Sequence, residues 1–306
     1  MMGGDYAPLE AVKGIVRYVS DGGSPASLVL LGDADLLRPL LTEHGISPEA
    51  IAIVHAPEHI GMHEHPTKAL KEKKASSIAV GFGMLAEGRL DAIISAGNTG
   101  AMLVGALFSI KALPGILRPT IGAYMPRENG RLGFLLDAGI NADCKPEHLA
   151  QFAVLGTLFM KHVMGVEDPR VGLLNIGEEE GKGNLLAQAA YPLLQQQPGI
   201  RFIGNLEGRD VLVDKADVMV CEGFTGNIVL KMAESIHDIV VRRNIHDAYF
   251  DTFNFESYGG VPVLGVAKPV IIGHGISGAQ SFQNMIRLAE KMIEKDLLGK
   301  ISEAIV

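Results

Sequence analysis

A glycine-rich turn that carries one lysine is the part of the sequence best suited to bind an anion. It lies in Val171–Asn184, VGLLNIGEEEGKGN, between a short apolar run and a segment with helical spacing of apolar residues. Backbone N–H groups at a strand–loop–helix junction point outward, and the helix dipole favours negative charge there. Lys182 adds a mobile cation. The stretch predicts a phosphate or carboxylate site, with an ordinary turn bearing an exposed lysine as an equally weighted alternative.

The same turn does not match the loop that binds nucleoside triphosphates. The spacing from Gly177 to Gly181 is one residue too short, and Gly183 stands where a metal-binding hydroxyl is needed. We therefore exclude a nucleotide triphosphatase. Three carboxylates, Glu178–Glu180, precede Lys182 and would repel a bound anion. At least two of these carboxylates are expected to face solvent or to accept hydrogen bonds from N–H groups of the loop itself.

Further polar loops follow other apolar runs and offer amides, hydroxyls and a few cations. Their candidate residues are Asn98 and Thr99; Asp137 and Asn141; Gly181, Gly183 and Asn184; Asn205, Glu207 and Arg209; Thr225, Asn227 and Lys231; and His274 and Ser277. Nucleophile–base pairs are scarce, since no GxSxG elbow occurs. Cys221 stands beside Glu222, which would raise the thiol pKa, so we interpret it as a small buried residue. His274 is suited to proton transfer or oxyanion donation, or is a structural histidine.

Such a site fits a substrate that brings its own nucleophile and negative charge. Inorganic phosphate attacking a thioester would need a cradle for the phosphate and donors for the developing oxyanion, but no covalent enzyme intermediate. Metal chemistry is not indicated, because Gly61 and Pro66 prevent the helix that would pair His59, His63 and His65.

A lysine-rich segment begins at Pro66. Lys68, Lys71, Lys73 and Lys74 most simply form a solvated face, and the functional alternative is a docking patch for an acidic carrier. The net charge of −8 argues against general nucleic-acid binding. Low cysteine usage and the lack of a signal peptide indicate a reducing cytoplasm. No apolar run reaches about 18 residues, so a transmembrane helix is not predicted, and peripheral membrane contact stays open.

Strands alternate with helices along the chain, and polar loops follow successive strands. This order predicts a doubly wound, three-layer α/β/α fold with its site at the carboxyl ends of the strands. We predict one domain over residues 1–306, with an antiparallel pair at Thr120–Tyr124 and Arg131–Leu136 and a polar loop at Cys221–Asn227. Gly3-Gly4-Asp5 is typical of a strand-end loop, so either the chain starts late or residues before Met1 are missing. Near 243–247 the alternatives are missing residues and a real deletion.

Nine motifs occur together in one order: MGGDYAP, KEKKASS, SAGNTGA, LLDAGINAD, NIGEEEGKGN, GNLEGRD, ADVMVCEGFTGNIVLK, YGGVPVLGV and VIIGHGIS. Over nearly the whole chain they resemble the PlsX family of acyl-acyl-carrier-protein:phosphate acyltransferases. The resemblance implies that fatty acyl-acyl-carrier protein and orthophosphate give acyl phosphate. That product would feed glycerophospholipid synthesis through a membrane glycerol-3-phosphate acyltransferase. It also implies a homodimer, no metal or other cofactor, peripheral membrane association, and a fold like isocitrate/isopropylmalate dehydrogenases and phosphotransacetylases.

Site roles follow from the motif matches and the chemistry above. We predict Lys182, His274 and Asn227 as catalytic, and Lys68, Lys71 and Lys74 as the carrier-protein docking patch. The predicted substrate-binding residues are Asn98, Thr99, Asp137, Asn141, Gly181, Gly183, Asn184, Asn205, Arg209, Thr225 and Lys231. The segment between Lys231 and Tyr258 is shorter than in the family, where it carries amphipathic helices associated with the membrane and the dimer. Two alternatives remain: an isopropylmalate-type NAD-dependent dehydrogenase, for which no metal-binding aspartate cluster is visible, and a non-catalytic scaffold for lipid-synthesis enzymes.

Overall fold

The protein is described by a computed structural model that covers residues 1–22 and 26–305. The helices are α1 (Leu9–Ser20), α2 (Ala34–Glu43), α3 (Pro66–Glu72), α4 (Ser77–Ala86), α5 (Thr99–Gly105, continued by a π turn at Ala106–Ile110), α6 (Pro146–His162), α7 (Leu185–Gln196), α8 (Gly223–Arg242), α9 (Ala248–Asp251), α10 (Ala279–Glu294) and α11 (Leu297–Ile305). The strands are β1 (Val29–Gly32), β2 (Ala52–His55), β3 (Ile93–Ser95), β4 (Thr120–Pro126), β5 (Leu132–Leu136), β6 (Arg170–Leu174), β7 (Arg201–Leu206), β8 (Val218–Val220), β9 (Val261–Leu264) and β10 (Val270–Ile272).

The chain divides into two compact units, and the single family domain over residues 1–306 stays a prediction. Unit 1 contains Met1–Lys111 and Glu256–Glu294, and unit 2 contains Ala112–Phe255 and Lys295–Val306. Each unit has its own strands, helices and buried core.

Unit 1 is built from mostly parallel strands covered by helices on both faces. β1 pairs in parallel with β2, and β10 pairs in parallel with β3 and antiparallel with β9. Leu30 and Ile94 pack in the core cluster that includes residues of α1 and α10. On the other face, α4 comes so close that a Cβ on Gly81 would lie 2.6 Å from Ile93 and 2.8 Å from Leu31. Because successive strand residues point to opposite faces, these contacts place helices on both sides, as the sequence predicts.

Unit 2 contains strands in the order β4-β5-β8-β6-β7. β5, β8, β6 and β7 run parallel, while β4 pairs antiparallel with β5 through the turn that the sequence predicts. α6 packs on this sheet through Gly156, whose added Cβ would lie 2.6 Å from Leu136 and from Val218. Only a residue without a side chain permits that approach. The predicted α/β fold class is therefore confirmed.

Three predicted boundaries differ from the structure. α8 begins at Gly223 rather than within a loop that extends to Asn227. Asn205 belongs to β7 and not to the loop after it. The last predicted helix, Ala279 to Asp296, ends at Glu294, because Asp296 adopts a left-handed φ of 48°, and a separate helix α11 follows. None of the helices within the described residues combines the length and hydrophobicity needed to cross a bilayer.

Candidate active site

The loops of unit 2 that carry candidate residues lie at one edge of its sheet. β5, β8, β6 and β7 are parallel, so the segments after their last residues meet at their common carboxyl edge. Two hydrogen bonds tie these segments together: Gly223 N–H donates to the Asn141 carbonyl at 2.7 Å, and Asn205 Nδ2 donates to the Glu179 carbonyl at 2.8 Å. The sequence therefore placed these loops correctly in one neighbourhood.

The turn between β6 and α7 is held by one asparagine. Asn175 Nδ2 donates to the Lys182 carbonyl at 3.1 Å, and Asn175 Oδ1 lies 2.3 Å from where a Cβ on Gly183 would stand. Gly183 also has φ +98°, so glycine is required there for two reasons. Asn184 caps α7 by accepting from Ala187 N–H at 2.8 Å. The Asn184 side-chain oxygen is therefore used by the cap. The Lys182 side chain is exposed and is the cation of this turn.

The three carboxylates Glu178–Glu180 are all exposed, which confirms the expectation that at least two would face solvent. Among the described residues, the carboxylates that come close enough to share a metal ion are Glu178, Glu207 and Asp210, with oxygens within 4.8 Å of one another. Lys215 Nζ lies 2.7 Å from Glu178 and 2.8 Å from Asp210. These two hydrogen bonds raise the pKa of Lys215, so a lysine already supplies the positive charge that this group needs.

The predicted ligand groups on β7 and the turn after it have specific partners. Asn205 is 4% exposed, and its Oδ1 is buried without a hydrogen-bond partner in the part of the chain described. A buried amide oxygen without a partner is costly, so it could accept from a ligand. Arg209, predicted to bind substrate, is exposed and forms an ion pair with Glu207 in its own turn.

The start of α8 differs from the predicted ligand loop. Glu222 caps the helix: its Oε1 accepts from Thr225 N–H at 3.2 Å and from Thr225 Oγ1 at 2.5 Å. A carboxylate therefore occupies the N-terminal donors that would otherwise attract a substrate anion. The Thr225 hydroxyl is used within this cap. The spacing of Glu222 and Thr225 is the local signal that could have predicted it.

Two further candidates on α8 remain exposed. Lys231 pairs with Glu234 at 2.6 Å. Asn227 stands near the loop after β5, because a Cβ on Gly139 would lie 3.3 Å from Asn227 Oδ1. The exposed side-chain amide of Asn227 therefore lies beside the candidate loop that follows β5.

Asp137 and Asn141 organise the backbone rather than face a ligand. Asp137 is fully buried, and its carboxylate accepts from the N–H groups of Ile121, Gly139, Ile140 and Asn141 and from Asn141 Nδ2. Asn141 Nδ2 also donates to the Pro119 carbonyl at 2.9 Å. These hydrogen bonds give both side chains a structural role, and their substrate-binding role stays a prediction.

Neither cysteine has the environment of a nucleophile. Cys221 is 3% exposed, and burial, with Glu222 and Asp137 nearby, raises its thiol pKa well above the ordinary value. Burial is also the main cause that raises the pKa of Cys144 to about 12. The prediction that Cys221 is a small buried residue is confirmed.

In unit 1, β3 and β10 end at the same edge, since they pair in parallel. Asn98 caps α5 by accepting from Ala101 N–H at 2.9 Å, while its Nδ2 donates to the carbonyls of Gly61, Met62 and Glu64. Both amide hydrogens are used within the protein, so we assign Asn98 a structural role instead of the predicted donor role. Thr99, the first residue of α5, is exposed.

The loop after β10 carries His274 and Ser277. His274 is half-buried, and its carbonyl accepts from Ser277 N–H at 3.0 Å. Ser277 is 3% exposed, and its Oγ is buried without a partner within the described chain. The carbonyl of Gly275 accepts from Asp5 N–H at 2.7 Å, which joins the Gly3-Gly4-Asp5 turn to this loop. Sequence reasoning did not place Asp5 here, and no local spacing indicates it.

The lysines near α3 divide into two kinds. Lys68, Lys71 and Lys74 are exposed, whereas Lys73 pairs with Glu64 at 2.6 Å. Ala69 is the buried position of this short helix. The exposed lysines are compatible with both the solvated face and the docking patch that the sequence allows.

The chain is similar to proteins of known family and fold. A sequence model of the family described as "Fatty acid synthesis protein" matches residues 1–248. "Phosphate acyltransferase" of Dictyoglomus turgidum is 40% identical over 323 residues, covering 99% of this chain and 96% of the relative. The protein of the same name from Syntrophomonas wolfei is 42% identical over 302 residues, covering 97% and 94%.

Solved structures support the fold. A phosphotransacetylase from Streptococcus pyogenes aligns with a TM-score of 0.67 at 20% identity, covering 94% of this chain and 92% of that chain. A 4-hydroxythreonine-4-phosphate dehydrogenase from Klebsiella pneumoniae aligns with a TM-score of 0.56 at 15% identity, covering 95% and 96%. At these identities the likeness extends to the fold alone.

Proposed function

The chain belongs to the phosphate acyltransferase family, and we propose that it transfers a fatty acyl group from acyl-acyl-carrier protein to orthophosphate. An oxygen of phosphate attacks the thioester carbonyl carbon, so a C–O bond forms and the C–S bond breaks. The carrier thiolate leaves and takes a proton from solvent, and the product is an acyl phosphate. The observation that carries the proposal is the similarity to phosphate acyltransferases over almost the full length of the chain.

The loops of unit 2 supply the groups that such a reaction needs for phosphate. Lys182 is an exposed cation on the turn before α7, and the positive end of the helix dipole at the start of α7 favours an anion there. Asn227 offers a neutral amide on α8 beside the loop after β5. We propose that Lys182 holds the phosphate and that Asn227 donates to it or to the acyl carbonyl.

The raised pKa values of the two thiols agree with direct attack by phosphate. Cys221 and Cys144 both have raised pKa values, so little thiolate exists near neutral pH. Direct attack needs no acyl-enzyme intermediate. His274 of unit 1 stays the predicted group for proton transfer or oxyanion donation. We expect His274→Asn to lose most of the kcat while its stability is unchanged.

A thiol-release assay tests the proposed activity. The protein is incubated with palmitoyl-acyl-carrier protein, with and without orthophosphate, and free carrier thiol is measured with a chromogenic disulfide. We expect phosphate-dependent release and a product that hydroxylamine converts to a hydroxamate. Release that does not depend on phosphate, or none at all, would overturn the proposal. Absorbance at 340 nm with NAD and isopropylmalate tests the dehydrogenase alternative, and no change is expected.

We propose that the acidic carrier protein docks on Lys68, Lys71 and Lys74. If the carrier protein docks by charge, replacing all three lysines by alanine should raise the KM for acyl-acyl-carrier protein. The KM for an acyl thioester of a small thiol should change little. An equal effect on both substrates would assign the lysines another role. We propose that the acyl phosphate, a reactive anhydride, is consumed by a membrane glycerol-3-phosphate acyltransferase. We also propose that the protein is a cytoplasmic homodimer that associates peripherally with the membrane.

A further inference from the structure

The turn between β6 and α7 is fixed through its main-chain carbonyls. Side-chain amides of unit 2 donate to them at distances between 2.8 and 3.1 Å: Asn175 Nδ2 to Lys182, Asn205 Nδ2 to Glu179, and Gln188 Nε2 to Gly181 and Gly183. These hydrogen bonds hold the backbone that carries Lys182. The carboxylates of the same turn, Glu178–Glu180, are placed by other contacts.

One of these carboxylates lies beside the Lys182 side chain. A Cβ added to Gly177 would lie 3.0 Å from Glu179 Oε2 and 3.2 Å from Lys182 Cγ, so both side chains lie against the same glycine. Glu179 therefore offsets part of the positive charge that Lys182 offers to an anion. A second carboxylate at this place would make the local charge negative and would repel phosphate. The affinity for phosphate thus depends on where the Glu178 carboxylate is held.

Glu178 is held by a lysine from a different loop. Lys215 Nζ lies 2.7 Å from Glu178 Oε1 and 2.8 Å from Asp210 Oδ2. Asp210 Oδ2 also accepts from the Glu207 N–H at 2.8 Å, which fixes Asp210 in its own turn. Lys215 stands three residues before β8, whereas the turn with Lys182 follows the carboxyl end of β6. Since β6 and β8 run parallel, Lys215 draws the Glu178 carboxylate away from the carboxyl edge of the sheet.

Lys215 lies where three carboxylates converge. Oxygens of Glu178, Glu207 and Asp210 all lie within 4.8 Å of one another. The Glu178 side chain is 61% exposed, and the Asp210 side chain is only 11% exposed. Without the lysine, mutual repulsion would therefore displace Glu178, because its side chain is the least enclosed of the pair. Glu178 precedes Lys182 by four residues, so its carboxylate would then be free to approach an anion bound there.

We propose that Lys215 is a positioning residue for phosphate: it holds the Glu178 carboxylate away from the anion that Lys182 binds. This role rests on the proposed phosphate site at Lys182. It is indirect, since Lys215 acts through the position of Glu178 and not through contact with phosphate. Hydrogen bonds, chiefly the one to Asp210, raise the pKa of Lys215, so the lysine keeps its charge at neutral pH.

Calorimetric titration of the full chain with orthophosphate, without an acyl donor, tests this role. We expect Lys215→Met to raise the Kd for phosphate by about fivefold or more, because one carboxylate near the anion is no longer held back. Lys215→Gln, which keeps an N–H donor but no charge, should raise the Kd as well and provides a second variant. In steady-state kinetics, the KM for phosphate should rise by a similar factor. The kcat and the KM for palmitoyl-acyl-carrier protein should stay within about twofold.

Rescue variants separate a charge effect from a merely structural one. Lys215→Met/Glu178→Gln lacks the displaced carboxylate and should return the Kd to within about twofold of the parent value. Lys215→Arg keeps the charge and should also keep the Kd. Raising KCl to about 0.5 M should narrow the difference between the parent and Lys215→Met, because salt screens exposed charges. Lys13→Met, which breaks an ion pair of 2.8 Å with Glu10 in unit 1, is the matched control and should leave the Kd unchanged.

An equal Kd for phosphate in the parent and in Lys215→Met would overturn the role of Lys215. A raised Kd that Glu178→Gln does not restore would overturn it too, since the effect would then not pass through that carboxylate. The proposed function fails on a different result, namely a parent protein that binds no phosphate and releases no thiol in its presence. The two proposals can therefore be told apart when one of them fails.

Discussion

Asp137 Oδ2 lies 2.7 Å from the backbone nitrogen of Asn141 and 2.7 Å from its Nδ2. One carboxylate oxygen thus accepts two hydrogen bonds from a single residue, and the other oxygen accepts from Gly139 and Ile140. The loop after β5 is shaped around this buried charge. In the sequence, the polar residues of this loop are typical of a ligand site. In the structure, their hydrogen bonds hold the loop in its conformation.

Replacing Asp137 by Asn is expected to lower the free energy of unfolding by about 2–3 kcal/mol. The new amide would place a donor against the N–H groups that the carboxylate now accepts. Urea denaturation checks the value. Asp143→Asn is the matched control, because Asp143 is an exposed residue of the same loop, and it should change stability by less than about 0.5 kcal/mol. Similar losses in both variants would contradict the structural role of Asp137.

A partly buried ion-pair cluster is expected to make unit 2 sensitive to acid. Arg127 is 1% exposed and lies 2.9 Å from Asp217, while Arg170 contacts both Asp217 and Asp214. Burial alone would raise the pKa of Asp217, but hydrogen bonds from Arg170 and Arg127 outweigh it and lower that pKa. The pKa of Asp214 is lowered chiefly by its hydrogen bond from Arg170. A lowered pKa in the folded state adds stability that is complete above the unfolded pKa of about 4 and lost as pH falls through the folded value.

Asp217→Asn should therefore cost about 3 kcal/mol at pH 7, because it leaves Arg127 short of a buried partner. The variant should also lose less stability than the parent between about pH 5 and pH 3. Chemical denaturation across this pH range tests both points. Asp168→Asn removes an exposed pair with Arg201 and should cost less than about 1 kcal/mol. A parallel pH dependence of parent and Asp217→Asn would refute the assignment.

Lys182→Ala is expected to raise the KM for phosphate by about tenfold, with a smaller change in kcat and in the KM for the acyl donor. Loss of one charge-assisted contact to an anion has roughly this effect. Steady-state kinetics at varied phosphate measure it. Lys161→Ala removes an exposed lysine from the end of α6 and serves as control. An unchanged phosphate dependence would count against the cradle.

Two glycines of the same turn should respond differently to alanine. Gly183 has φ +98°, and a Cβ added to it would lie 2.3 Å from Asn175 Oδ1, whereas a Cβ added to Gly181 would meet nothing within 4 Å. Gly183→Ala should lower the free energy of unfolding by about 1–3 kcal/mol, through backbone strain and the clash. Gly181→Ala should leave it nearly unchanged. Thermal unfolding of the two variants distinguishes them, and equal losses would show that the turn relaxes.

The thiols should be inert in the native protein. Because burial raises the pKa of both Cys144 and Cys221, iodoacetamide at pH 7.5 should modify neither within an hour, while the urea-unfolded chain should react at both. Mass spectrometry reports the modification. Cys221→Ala should keep at least about half of the kcat, since a packing loss is the only expected effect. Abolished turnover with intact folding would point to an acyl-enzyme and against direct phosphate attack.

Local rules explain which site elements could be predicted. The turn with Lys182 and the β4–β5 pair follow from short spacings of glycine and apolar residues, and both appear where expected. Asn184, predicted as a substrate-binding residue, caps α7. Glu222 was missed as the cap of α8 because CEGFTGN also fits a ligand loop. Asn98 was predicted to bind a ligand, yet its three carbonyl acceptors lie more than 30 residues away in sequence.

The sequence by itself determined the α/β class, the order of the strands and helices, and the family, because periodicity, turn residues and ordered motifs are local properties of a chain. Tertiary structure alone decided which polar side chains remain available to a substrate. The side chains of Asp137, Asn141 and Asn98 form hydrogen bonds with backbone groups, whereas the side chains of Lys182 and Asn227 are exposed. The reason is physical: a buried polar group must find a partner, and which groups come within hydrogen-bond distance is set by the packing of distant segments.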